Sequence, residues 1–101
     1  MNDKCTVVNI RREAFDVYIG RAGHVAEDGY FGNPFVVGRD GTRAECITNF
    51  QVWFQKRLVE DPEYRRRVLA LRGKRLGCFC APAACHGDVI AAWVNTHLEQ
   101  R

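Results

Sequence analysis

The densest chemistry in the chain lies between residues 78 and 88, Cys78-Phe79-Cys80-Ala81-Pro82-Ala83-Ala84-Cys85-His86-Gly87-Asp88. Three of the five cysteines fall within eight residues here, and the count is odd. No export-type apolar leader opens the sequence. A disulfide scaffold is therefore a poor reading, and metal binding or thiol chemistry a better one. Four soft or borderline ligands, Cys78, Cys80, Cys85 and His86, are a candidate zinc set. Their spacing argues against it. Zinc pairs are usually separated by two to four residues, whereas here one residue parts the first pair and none the second. Adjacent Cys85 and His86 also point in different directions on a helix.

The competing reading is a nucleophilic thiol. Cys85 and His86 fall where a helix begins, and the helix dipole there favours an anion and lowers a thiol pKa. Cys85 is then the candidate nucleophile, with His86 as base or orienting group and Asp88 within a turn as an acid–base partner. This predicts that Cys85 ionises more readily than Cys46, read as a buried mid-helix residue. A third reading keeps Cys78 and Cys80 as small core residues on one face of a strand.

A second candidate lies between residues 20 and 41, a stretch holding six glycines. Loops of this length without regular structure are often functional. Glycine lets a backbone approach a ligand closely. In this loop Arg21 could supply charge, Gly23 a close amide and Tyr30 a stacking face. Asn33, held extended by Pro34, could aim its amide at a ligand. The stretch matches no P-loop or dinucleotide fingerprint, and the bland alternative is a packed loop whose aromatics fill the core. Arg65-Arg66-Arg67 is a weaker candidate for phosphate contact, since a short charge run usually marks a solvated helix face. His24 reads as a surface or active residue, His97 as a core-edge histidine, and Trp53 and Trp93 as core.

These residues need elements to hold them. Residues 5–10 are β-rich and read as a strand. Residues 15–19 alternate and read as the returning strand of a hairpin, with a short polar connection between. Residues 35–37 suggest a brief extended piece within the long loop. Thr42 and Glu45 have capping-box spacing, followed by Ile47, Phe50, Phe54 and Leu58 at helical intervals. Asp61-Pro62 starts a second helix, with Tyr64, Val68, Leu69 and Leu71 inward and Gly73 as its stop. Residues 74–80 form a third strand, placed beside the first. Val89, Ile90, Trp93, Val94, His97 and Leu98 define a last amphipathic helix. The order β-β-α-α-β-α gives an α/β fold, a small three-stranded sheet covered by three helices. Such folds place ligands where a strand passes into a helix.

Composition sets the outer bounds. With 101 residues, 47% apolar and 27% charged, the chain has room for a single domain over 1–101 and is not disordered. No apolar run approaches the ~20 residues that span a bilayer, so a soluble, cytoplasmic protein with no membrane partner is expected. The formal charge of +3 permits a polyanionic partner without demanding one. Twelve of the 15 basic residues are Arg, a side chain suited to phosphates.

Several segments together resemble a known family: Val7-Val8-Asn9-Ile10, Val17 to Arg21, Gly32-Asn33-Pro34-Phe35, Gly73 to Cys80, and Cys85-His86-Gly87-Asp88. The chain is similar, from about residue 6 to 94, to domain of unknown function 4326, a family of small phage and bacterial proteins. The resemblance implies that Asn33, Pro34, Phe35, Cys78, Cys80, Cys85, His86 and Asp88 belong to the family pattern, and carries no catalytic assignment. Phage occurrence points, by association, to nucleotides or nucleic acids. The expectation is a small enzyme acting on a nucleotide, nucleoside or modified nucleobase, without a cofactor. The alternative is a zinc-stabilised nucleic-acid-binding module.

Overall fold

The computed structural model describes residues 4–21 and 29–97. Its elements run β1 (Thr6–Asn9), β2 (Val17–Tyr18), α1 (Arg43–Glu60), α2 (Pro62–Leu69), β3 (Arg75–Cys78) and α3 (His86–Thr96). This is the expected α/β order. The helix starts follow from local chemistry. Thr42 Oγ1 accepts from the Glu45 amide, and the Glu45 carboxylate accepts from the Thr42 amide, so two orphan donors of α1 are satisfied reciprocally. Asp61 caps α2 through the Tyr64 amide, with Pro62 at the first helical position. Gly73, at φ +74, takes the left-handed conformation that turns the chain toward β3.

The sheet differs from the expectation in one respect. Its order is β1-β3-β2 and every pairing is parallel, so β1 and β2 are not a hairpin. β3 lies beside β1, as expected, and β2 takes the opposite edge of β3. The seven residues between β1 and β2 cross over the central strand. Parallel crossovers usually need a dozen residues or more. Here the strands are short: β1 ends level with Cys78 and β2 starts level with Leu76, so the chain steps back by only two rungs, roughly 7 Å.

Gly77 explains how this crossing fits. A Cβ there would sit 2.6 Å from Ile10 Cγ2 and 2.7 Å from Phe15 Cγ, both in the crossing segment. Leu76 and Cys78 alternate to the other face. There they join one core with Phe50, Phe54 and Leu58 of α1, Tyr64 and Val68 of α2, and Ile90, Ala91 and Val94 of α3. Asn95 clamps the end of α3 to the start of β1, its amide exchanging two hydrogen bonds with the Cys5 main chain. Among the described residues no helix is long and apolar enough to cross a membrane.

Two smaller expectations are corrected. Phe35–Val37 leads into a turn rather than an extended piece: the Arg39 and Asp40 amides donate to the Val36 carbonyl, while the Asp40 carboxylate accepts from the Val36 amide. β3 ends at Cys78, so Cys80 belongs to the following turn and does not share a strand face with Cys78.

Candidate functional site

Because all three strands are parallel, their carboxyl ends lie at one edge of the sheet. A cleft of about 260 Å³ opens there. Its walls come from four places. The end of β2 and the chain after it give Tyr18, Gly20 and Arg21. The long loop gives Asn33, Phe35 and Val37. The first turn of α1 gives Arg43, Cys46 and Ile47. The chain from β3 to α3 gives Cys78, Phe79, Cys80, Ala84, Cys85 and His86. Of the residues singled out in the sequence, Arg21, Asn33, Cys78, Cys80, Cys85 and His86 therefore meet in one place. This edge is where open parallel sheets bind ligands.

The floor is a thiol pair. Cys78 Sγ and Cys85 Sγ lie 3.5 Å apart, and both residues are buried. Either sulfur can donate to the other at this distance, and two thiolates so close would repel, so the pair retains a proton. The hydrogen bond shared with Cys85 lowers the Cys78 pKa, despite burial, and the Ala81 and Cys80 amides add to the effect. Cys85 moves the other way. Its proton is held by the hydrogen bond to Cys78, and burial adds to the rise. The helix start does not make Cys85 the acidic thiol: two amides, of Cys80 and Ala81, hold charge on the Cys78 sulfur, against one, of Gly87, at Cys85. Cys46 is buried, as expected, but sits in the first turn of α1 and not mid-helix, with its thiol donating to the Gly41 carbonyl at 3.8 Å.

His86 is set apart from the thiols it was expected to serve. Its Nε2 lies 2.8 Å from the Ile19 carbonyl, which can only accept, so Nε2 carries the proton. The ring stands edge-on to Phe50, at 5.2 Å between centroids. Burial lowers its pKa, against the pull of the Ile19 and Phe31 main chain, and keeps the ring neutral. Asp88 is likewise occupied: its Oδ2 accepts from the Cys85 amide at 3.0 Å and closes the first turn of α3. It does not line the cleft. Among the described residues no three His, Cys, Asp or Glu side chains gather as a metal site. Cys78, Cys80, Cys85 and His86 thus do not share one centre, and His86 is turned to the main chain of β2's exit.

The loop residues divide. Asn33 lines the cleft, but its Oδ1 accepts from the Phe35 amide at 2.9 Å and its Nδ2 faces the Cys46 carbonyl at 3.5 Å. It shapes the wall with the groups it was expected to offer a ligand. Tyr30 lies elsewhere, packed at 5.7 Å from Tyr64 and 5.1 Å from Phe31. Gly23 and His24 lie outside the described residues. Trp53 and Trp93 are half-buried against the core, and His97 stacks on Trp93 at 4.1 Å.

Three contributors were not singled out in the sequence. The Tyr18 hydroxyl is buried and has no hydrogen-bond partner among the described residues. Arg43 lines the cleft and donates to the Ala84 carbonyl at 3.2 Å, tying α1 to the approach to α3. Asn9, at the end of β1, donates to the Ala81 carbonyl at 2.8 Å and the Phe79 carbonyl at 3.3 Å, pinning the turn that carries Cys80. Asn9 and Tyr18 lie in segments that carry the family resemblance, but no local signal gives any of the three a role. Only the position of Asn9 and Tyr18 at strand ends hints at the sheet edge.

Fold and site define a small α/β protein with a thiol-floored cleft at the carboxyl edge of a parallel sheet. Residues 5–96 match the family described as domain of unknown function (DUF4326), and the chain belongs to it. It is 40% identical over 92 residues to the "uncharacterized 12.4 kDa protein in nrdA-td intergenic region" of Enterobacteria phage T4, covering 90% of this chain and 78% of the phage protein. No solved structure matches the chain.

Proposed function

We propose that the protein is a small enzyme acting on a nucleotide or a nucleoside-like molecule bearing an anionic group. One observation carries the reading: the positive ends of α1 and α3, the guanidinium groups of Arg21 and Arg43, and the Cys78–Cys85 pair all border one cleft. Helix N-termini and arginine favour a phosphate or carboxylate. Phe35 and Phe79 offer ring surface at the same opening. Cys78 is the nucleophile in this reading, with Cys85 as the proton-holding partner, and His86 and Asp88 are positioning residues for the helix start. The partner is a small molecule. Nucleic acid is the lesser fit, because Arg66 and Arg67 of the basic run are paired with Glu63.

The test is calorimetric titration with nucleoside monophosphates, the matching free nucleosides and inorganic phosphate. The monophosphate should bind at least tenfold more tightly than the nucleoside. Arg21→Ala should remove about 1.5–3 kcal/mol of that affinity, as for a hydrogen bond to a charged group. Its melting temperature should be unchanged, because Arg21 is exposed. Equal affinity for phosphorylated and free forms, or an Arg21→Ala variant that binds like the parent, would overturn the reading.

A further inference from the structure

We propose that Cys78 and Cys85 are a redox-modification site, closing into a reversible intramolecular disulfide when a hydroperoxide enters the cleft. The inference goes beyond the enzyme reading and stands without it, since it rests on the sulfur positions alone. All five cysteines are free thiols in the structure, and the two sulfurs at the cleft floor are 3.5 Å apart. A disulfide needs the sulfurs at about 2.05 Å, so each side chain must close by less than ~1 Å. Cys78 ends a strand and Cys85 precedes a helix, and six residues of turn between them can take up the adjustment.

The other thiols are worse partners. Cys5 lies at the amino end of β1, away from the carboxyl edge. The Cys46 thiol is turned to the Gly41 carbonyl. Cys80 lines the cleft, but it is only two residues from Cys78, and so short a ring forces strained disulfide geometry.

The chemistry balances with a hydroperoxide as the oxidant. The Cys78 thiolate attacks the terminal peroxide oxygen and the O–O bond breaks. The leaving alkoxide or hydroxide takes a proton from water, and Cys78 becomes a sulfenic acid. The Cys85 sulfur then attacks the Cys78 sulfur, the S–O bond breaks, and water leaves with the Cys85 proton. Two thiols lose two electrons to the peroxide, and an external dithiol restores them. The low pKa of Cys78 and the retained proton of Cys85 suit them to these two steps in that order.

The experiment treats the full-length protein with equimolar hydrogen peroxide, blocks remaining thiols with an alkylating reagent and maps the peptides by mass. Two of the five thiols should disappear. The mass should fall by two hydrogen atoms, the linkage should map to Cys78–Cys85, and dithiothreitol should reverse it. Cys80→Ser should form the same linkage at a rate within about twofold of the parent. Cys85→Ala should stop at a sulfenic acid on Cys78 that dimedone captures. Retention of all five thiols, a linkage through Cys80 or between chains, or sulfinic acid on Cys78 without a disulfide would overturn the proposal. These readouts on the parent and on Cys80→Ser decide the matter even where Cys85→Ala does not fold.

Discussion

The cleft and the arginine-rich face shared by α1 and α2 use the same residue types to opposite ends. On that face Arg57 lies over the rings of Tyr64 at 3.9 Å, Tyr30 at 5.0 Å and Trp53 at 5.3 Å. Arg67 covers Tyr30 at 4.3 Å, and Arg65 covers Trp93 at 5.2 Å. Glu63 binds both Arg66 and Arg67. Each charge has a ring or carboxylate, and the rings fill the space between α1 and α2. At the cleft, Arg21 has no ion-pair partner among the described residues, and the wall encloses open volume. A buried hydroxyl without a partner does not separate the two regions, because Tyr64 has one as well as Tyr18. Space does. Tyr64 is completely enclosed by side chains, whereas Tyr18 borders the opening. Arginine and tyrosine at an apparent binding face thus signify packing where they satisfy one another, and a site where they face a void.

Thiol reactivity gives the largest expected contrast. At neutral pH Cys78, lowered by its neighbours, is the more ionised thiol, whereas Cys5, pushed up to about 11 by burial, is almost wholly protonated. Alkylation mapped by mass should modify Cys78 before Cys5, with a rate that levels at a lower pH than an ordinary thiol's. Modification of Cys85 ahead of Cys78 would reverse the assignment within the pair.

Tyr64→Ala should come next. Removing a completely buried ring beneath Arg57 should cost about 3–5 kcal/mol in denaturant unfolding. Binding at the cleft should survive wherever the variant stays folded. A loss below 1 kcal/mol would show that the aromatic face is not core. Asn33→Ala tests the cleft side. It leaves the Phe35 amide without its acceptor and should cost about 1–2 kcal/mol. If stability is unchanged while ligand binding disappears, Asn33 contacts the ligand and does not merely shape the wall.

Glu63 gives the smallest effect. Its bonds to Arg66 and Arg67 hold its pKa near 2, below the ordinary 4.5. The stability this contributes is complete above the unfolded value and is lost as pH falls from about 4.5 toward 2. Both ends of the pair are exposed, so the effect on the melting curve should be slight. Carboxyl titration followed by NMR should find Glu63 still ionised at pH 3. A titration at the ordinary value would mean that the pairing is loose and the α2 arginines are available to a partner.

The sequence by itself determined where the first two helices begin. The Thr42–Glu45 box and the Asp61-Pro62 start act within one turn of backbone, so their chemistry is complete in the local sequence, whereas α2 ends at Leu69, ahead of the expected Gly73 stop. It also determined that residues 78–88 carry a strand end into a helix start, where the candidate site lies. Tertiary structure alone decided the rest. Whether β2 returns beside β1 or crosses β3 depends on Gly77 admitting Ile10 and Phe15 more than 60 residues away in sequence. Tyr30 lies against Tyr64 and not in the cleft because the α1–α2 face closes around it. The acid–base order of Cys78 and Cys85 was beyond reach of spacing, because it needs two sulfurs brought to 3.5 Å and the Cys80 and Ala81 amides turned to one of them. A helix dipole can be read from where a residue stands in its own helix, whereas a neighbouring sulfur that reverses its effect exists only once the chain has folded.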